Sequence, residues 1–175
     1  MIKVVWANKS NGQLCVTIPK NSGIKEGDIV DIRKEKIKKV IYSFTTGDMF
    51  HYGQLRLLEE ANKLGGFHIC GVLTNKAIKT YKDEPVAGLK ERTAVISSLR
   101  CVDMVMTQDS KDPTENLKNI HKQFPNAEII LIHGSNWKTI PGTNYVEKIG
   151  GMVVRSPFYE KLSGEKITKK IMLKS

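Results

Sequence analysis

Residues 39 to 65 read KVIYSFTTGDMFHYGQLRLLEEANKLG, and this stretch decides the fold. Val40 to Phe44 form an apolar run of strand length, and Thr45, Thr46, Gly47 and Asp48 are turn formers. An amphipathic segment then starts near His51 or Tyr52 and closes at Gly65 and Gly66, where a helix end favours glycine. The same alternation continues in FHICGVL (67–73), LKERTAVISSLR (89–100), VDMVMT (102–107), TENLKNIHKQF (114–124) and EIILIHG (128–134). Short apolar runs between helical segments predict βαβ units, hence an α/β domain with a mostly parallel, doubly wound sheet covered on both faces. Helix ends agree with this reading: Pro113 and Thr114 open one helix and Pro125 stops it. GEKITKKIMLKS (164–175) predicts a last short helix, basic towards its C-terminal end as the helix dipole prefers.

Working outward towards the N-terminus, residues 1 to 36 have a different texture. IKVVWA, LCVTIP and IVDIRK are β-rich runs separated by Asn, Ser, Gly and Lys turns, which predicts a small all-β unit. The charged run KEKIKK (34–39) reads as a solvated linker at the boundary, giving domains at 1–36 and 37–175. The 175 residues carry 28 Lys and Arg against 18 Asp and Glu, a formal charge of +10, which points to an anionic partner. With 40% hydrophobic and 26% charged residues the chain is neither disordered nor membrane-spanning, because no apolar run approaches the ~18 residues a span needs. The N-terminal stretch lacks a secretory pattern, so the expected location is the cytoplasm. Cys15, Cys70 and Cys101 lie far apart in apolar segments and predict buried thiols, neither disulfides nor a metal site.

Chemistry concentrates where the first parallel strand turns into its helix. Thr45, Thr46, Gly47, Asp48, His51, Gly53 and Gln54 fall at the carboxyl edge of the sheet, where open α/β folds bind ligands. His51 and Gln54 lie at i and i+3, one face of the first helical turn, beside a helix N-terminus with free N–H groups. Gly53 lets a phosphate or a backbone approach closely, since no Cβ intervenes. These features predict an anion site. His68, His121 and His133 stand apart from it and read as structural.

The segment DMFHYGQ (48–54) resembles the H-x-G-H signature of the nucleotidyltransferase superfamily, in particular its cytidylyltransferases, and further stretches extend the likeness from about Lys38 to the C-terminus. Lys82, Pro85, Glu91, Arg92, Val102 and Asp103 match the family's lysine-and-proline stretch, Glu-Arg helix and Val-Asp strand entry. Gly134, Asn136 and Trp137 resemble its Gly-Asp-Asp-Trp segment, with Ser135 and Asn136 in place of two acids. Arg155, Ser163 and Ile167 resemble its Arg-Thr-x-Gly-x-Ser-Thr-Thr-x-Ile signature, with extra residues between the Arg and the Ser.

The resemblance implies a Rossmann-like fold and transfer of CMP from CTP to a small phosphorylated or phosphonylated alcohol, with pyrophosphate leaving and Mg²⁺ assisting. It implies roles as well. His51, Gln54, Lys82 and Arg155 would be catalytic, with His51 and the helix end holding the triphosphate. Lys82 and Arg92 would face the phosphates of acceptor and donor. Arg155 with the helix start at Leu162, Ser163 and Gly164 would clamp the β and γ phosphates, and Gly134, Asn136 and Trp137 would lie near the base. Gln54 departs from the family, which has a second histidine there. A neutral donor in place of a charged one costs roughly 1 to 2 kcal/mol, about a 5- to 30-fold loss of rate. Two alternatives stay open: an adenylyltransferase of the same superfamily, of the FAD synthetase type, and a nucleotide-sensing regulator that binds DNA.

NKSNGQLCVTIPKNSGIKEGDIVDI (8–32) resembles the AbrB-like swapped-hairpin domain through Gly12, Gln13, Val16, Thr17, Ile18, Pro19, Lys20, Gly23, Ile24, Gly27 and Asp28. That resemblance implies an intertwined homodimer. DNA contact through Lys9, Lys20 or Lys25 is the weaker expectation, since 7 basic against 4 acidic residues leave only +3 in residues 1–36.

Overall fold

The computed structural model describes residues 6–7, 14–15, 22–29 and 36–173. The chain divides into two compact units, Met1–Lys36 and Ile37–Ser175. In the first, strands β1 (Trp6–Ala7) and β2 (Leu14–Cys15) pair antiparallel, Trp6 opposite Cys15. Gly23 and Gly27 both have positive φ, and the turn between Lys25 and Asp28 closes through Lys25 N donating to Asp28 Oδ2 at 2.8 Å. The expected strand residues 16–18 and 30–35, and with them Gly12, Gln13, Pro19, Lys9 and Lys20, lie outside the described residues.

The second unit opens with β3 (Lys39–Thr45), followed by α1 (Tyr52–Lys63), β4 (Phe67–Leu73), α2 (Asn75–Lys79) and α3 (Leu89–Ser97). Then come β5 (Met104–Gln108), α4 (Thr114–Gln123), β6 (Glu128–Gly134), α5 (Thr143–Lys148), β7 (Met152–Ser156) and α6 (Gly164–Met172). All five strands are parallel, in the order β5-β4-β3-β6-β7. The first strand of the unit is central and the chain winds outward to either side. The order reverses between β3 and β6, which opens a crevice at their carboxyl ends.

Alternation along each strand builds two apolar layers. Val40, Tyr42 and Phe44 face the layer containing Phe67, Ile69, Leu117, Ile120 and Val146, so α4 and α5 cover that side. Ile41 faces Ala61, Ile130 and Ile132, while Cys70 and Val72 pack on Leu58 and Ile96, so α1 and α3 cover the other. Both faces of the sheet are therefore apolar, as the continuous runs in the sequence require. Gly65, at φ +68°, ends α1 just past Leu64, because only glycine takes that conformation without strain. The short helices α2 and α5 were not legible from periodicity.

Two hydrogen-bonded sets of polar side chains lie within the sheet. His68, 0% exposed, is held by Ser43 Oγ at 2.8 Å and the Cys101 carbonyl at 2.5 Å, so it is structural, as the sequence indicated. Tyr42 donates its hydroxyl proton to Gln108 Oε1 at 2.8 Å and accepts from Asn116 Nδ2 at 2.8 Å. Gly71 leaves room for this pair, since a Cβ there would stand 2.1 Å from Tyr42 Oη. Among the described residues no helix is long and apolar enough to cross a membrane.

Candidate functional site

A cavity of about 750 Å³ opens at the switch point, walled by the loops that leave β3, β4, β6 and β7. Thr45, Thr46, His51, Gly53, Gln54, Lys82, Gly134, Asn136, Trp137, Ser163 and Gly164 all line it, although the sequence spreads them over 120 positions.

The β3 to α1 turn sets the chemistry. His51 is the N-cap of α1, and its Nδ1 accepts from Gly53 N at 3.1 Å. Gln54 Oε1 accepts from His51 N at 3.2 Å, which completes a capping box. Burial, and then the charge of Lys82, lower the His51 pKa, so the imidazole is neutral at pH 7. With Nδ1 occupied as an acceptor, the proton sits on Nε2, giving a neutral N–H donor. Gln54 Nε2 spends one proton on Thr45 Oγ1 at 3.2 Å, and Thr45 Oγ1 also accepts from Gly47 N at 3.1 Å. Both acceptor positions of that hydroxyl are filled, which leaves its own proton to donate.

This geometry changes the source of the donors. Gly53 N is used by His51 Nδ1 and Gln54 N by the His51 carbonyl, so the first turn of α1 offers fewer free N–H groups than expected. Side chains supply the donors instead: His51, the remaining Gln54 proton, Thr45 and Lys82. The second helix end keeps free N–H groups. Ser163 caps α6, and the N–H groups of Gly164 and Glu165 have no acceptor among the described residues. Gly53 serves close approach, but within the protein: a Cβ there would meet His51 Cε1 and Nδ1 at 3.1 Å and the Leu162 carbonyl at 3.3 Å. Leu162 thus borders the cavity without lining it.

Two arginines and two turn residues are used otherwise than the sequence suggested. Arg92 is 1% exposed and does not line the cavity. Its guanidinium donates to the carbonyls of Ala87 (3.0 Å), Leu73 (2.7 Å) and Thr46, and to Asn75 Oδ1 (2.6 Å). Burial draws its pKa down while the nearby Asp48 charge opposes that. With four bonds made inside the protein, it ties these loops together. Arg155 donates to the carbonyls of Trp137 and Lys138, so it fixes the loop after β6 and stands outside the lining. Asp48 accepts from Val86 N (3.1 Å) and Ala87 N (3.0 Å), and Gly47 takes the positive φ of the turn. Neither faces the cavity.

Sequence reasoning missed His133 and Lys166, which also line it together with Tyr81, Phe158, Tyr159 and Glu160. The His133 ring lies 4.5 Å from Phe44 and 4.4 Å from Trp137, and burial lowers its pKa to about 4. Tyr159 packs edge-on to Tyr52 at 5.1 Å, docking the loop after β7 against α1. His121 bonds the Tyr145 hydroxyl at 3.2 Å, away from the site.

Residues 44–170 match the cytidylyltransferase-like family. The chain belongs to that family. The match begins at the last residues of β3 and ends in α6, so it spans every loop that walls the cavity. Similar curated proteins include the bifunctional protein HldE of Syntrophotalea carbinolica, 25% identical over 130 residues, and that of Hydrogenovibrio crunogenus, 31% identical over 147 residues. These alignments take in 72% and 82% of this chain but only 25% and 29% of the relatives, so the chain spans between a quarter and a third of their length. A crystal structure of the lipopolysaccharide core biosynthesis protein from Thermoplasma volcanium superposes with a TM-score of 0.57 at 20% identity. It covers 70% of this chain and 98% of that one, and the likeness is one of fold.

Proposed function

We propose that the protein transfers a nucleotidyl group from a nucleoside triphosphate, CTP in the first instance, to a small phosphorylated alcohol. The observation that carries this reading is the convergence of neutral and cationic donors on one hollow at the switch point. His51, Gln54, Thr45, Lys82, Lys166 and the N-terminus of α6 surround it. In the reaction, an oxygen of the acceptor phosphate attacks the α-phosphorus, the new P–O bond forms and the bond to the bridging oxygen of the β-phosphate breaks, releasing pyrophosphate. The attacking oxygen is already an anion, so no general base is needed and catalysis reduces to alignment and charge stabilisation. The neutral Nε2–H of His51 suits a hydrogen bond to phosphate oxygens, and Lys82 supplies the formal charge that Gln54 lacks. Gly164 and Glu165 N–H groups offer a second anchor for the far end of the triphosphate.

Magnesium fits as a companion of the nucleotide. Among the described residues no group of three His, Cys, Asp or Glu side chains is placed to hold a metal. Glu160 and Glu165 are the carboxylates of the lining, and Mg²⁺ characteristically binds through one or two carboxylates plus substrate phosphates.

A second reading takes ATP as the donor. It is favoured by Ser135 and Asn136, which stand where the resemblance to cytidylyltransferases would place two acids beside the base. Thermal unfolding with Mg²⁺ and each of CTP, ATP, GTP and UTP separates the two, because a ligand selective for the native state raises its stability. A rise with CTP followed by pyrophosphate release with a phosphorylated alcohol is the expected result, and a rise with ATP alone selects the second reading. No rise with any nucleotide overturns both. The first unit serves pairing of two chains in this reading, since a two-stranded ladder by itself is marginal. Light scattering that returned a monomer would reject that part.

A further inference from the structure

Lys111 lies in the loop between β5 and α4, yet its ammonium reaches the rim of the cavity. Its Nζ stands 4.9 Å from the centroid of the Tyr81 ring and 4.9 Å from that of the Trp137 ring. Both rings line the hollow, Tyr81 from the segment after α2 and Trp137 from the loop after β6. Loops leaving three different strands therefore meet at one cation. Among the described residues Lys111 makes no ion pair. The adjacent Asp112 is occupied by Thr114, whose N–H and hydroxyl both donate to its Oδ1. Aromatic faces hold an ammonium without cancelling its charge, whereas a carboxylate would neutralise it. Lys111 is thus oriented without an ion-pair partner among the described residues.

The loop is also fixed from beneath. Asn116 donates to Tyr42 Oη, Tyr42 donates to Gln108 Oε1, and Gln108 Nε2 donates to the Ser110 carbonyl at 2.8 Å. Tyr42 and Gln108 are 0% and 1% exposed. A buried polar chain is worth its desolvation only when complete, and this one ends on the residue next to Lys111. An exposed lysine carried by a buried network and seated between two rings of the cavity wall is a placed cation.

We infer that Lys111 is a substrate-binding residue that, together with Lys82 on the same rim, takes the phosphomonoester of the acceptor. The inference rests on the nucleotidyl-transfer reading and deepens it by assigning the second substrate's anchor. Two ammonium groups, one of them held in place by two aromatic faces, favour a dianionic phosphate over a neutral alcohol, and they leave His51, Gln54 and the α6 end to the donor.

Trp137 reports directly on this site. The chain has two tryptophans, Trp6 and Trp137, so Trp6→Phe leaves Trp137 as the sole indole in the full-length protein. Inorganic phosphate is titrated against Trp137 fluorescence at constant ionic strength, with chloride as the control. A saturable change is expected, with the dissociation constant raised about 10-fold or more by Lys111→Met and kept within about 3-fold by Lys111→Arg. Thermal shifts with CTP and ATP are measured on the same proteins and are expected to survive Lys111→Met. If Lys111→Met binds phosphate as tightly as its parent, or the parent gives no saturable response, the assignment is overturned. Loss of the nucleotide shift in Lys111→Met would move the lysine to the donor and overturn it equally. If no nucleotide shifts any of the proteins, the nucleotidyl-transfer reading fails, while the phosphate titration still decides whether Lys111 binds an anion.

Discussion

Replacing Arg92 by methionine distinguishes a loop tie from a phosphate ligand, because the two roles fail differently. The guanidinium satisfies three backbone carbonyls, those of Thr46, Leu73 and Ala87, together with Asn75 Oδ1. Methionine fills much of the same volume but donates nothing, so those acceptors are left without partners. Each buried acceptor deprived of its bond costs about 1 to 3 kcal/mol. Leu73 is fully enclosed while Thr46 and Ala87 sit nearer solvent, so the sum is about 3 to 6 kcal/mol. For a unit of this size, roughly 3 to 4 °C of melting temperature is lost per kcal/mol. Arg92→Met is therefore expected to melt about 10 to 20 °C below the wild type, with Arg92→Lys in between, since an ammonium can reach some of the carbonyls. The assay is thermal unfolding followed by circular dichroism, with and without Mg²⁺ and nucleotide. Wherever Arg92→Met remains folded, the nucleotide-induced shift should persist. A variant that melted within about 3 °C of the wild type, and had lost its nucleotide response, would refute the reasoning and return Arg92 to the phosphates.

Three further outcomes follow from the same geometry. Gln54→Ala removes the reciprocal half of the capping box and the bond to Thr45, a loss of about 1 to 2 kcal/mol, and an unaltered melt would show that the cap contributes nothing. Gly71→Ala drives a methyl into the Tyr42 hydroxyl, so soluble yield and melting temperature should both fall; a stability equal to the wild type would mean the Tyr42 and Gln108 pair moves aside freely. His133 is held neutral by burial, with a pKa of about 4 against an unfolded value near 6.5. The unfolded chain binds the proton more readily, so this contribution is present above pH 6.5 and is lost as the pH falls towards 4, amounting to about 2 kcal/mol by pH 5. Urea titrations at pH 7 and pH 5 measure it, and an identical pH dependence in His133→Phe would remove His133 from the account. His68, whose pKa burial also lowers, supplies a separate share that this substitution leaves in place.

The architecture was legible because its signals are local. Apolar runs such as Phe67–Leu73 and Glu128–Gly134, turn residues such as Gly65 and caps such as Ser163 each declare themselves within a few positions. The β3 to α1 motif was equally legible, and His51, Gly53 and Gln54 stand where the spacing put them. The residues placed differently from the expectation are those whose partners are remote. Arg92 meets Thr46 across 46 positions and Asp48 meets Ala87 across 39, and nothing in either neighbourhood says that the charge is spent inside the protein. Arg155 was expected as a clamp from the resemblance, and its bonds to the Trp137 and Lys138 carbonyls join it to a loop 18 and 17 positions away. Lys111 went unnoticed because one lysine in a polar loop has no signature until the rings of Tyr81 and Trp137 are folded around it. His133 was assigned to structure for its isolation, and only the register of β6 brings it to the cavity wall.

The parallel sheet also separates labour between its two ends. Every loop that walls the hollow leaves the carboxyl ends of the strands, whereas the connections at Gly65, Asn126 and Gly150 lie at the opposite edge and are exposed. That far edge is a natural handle: a dye, a surface linker or a fused module attached there would leave the cavity open to solution. The same protein could then be immobilised for ligand screening with its binding face outward.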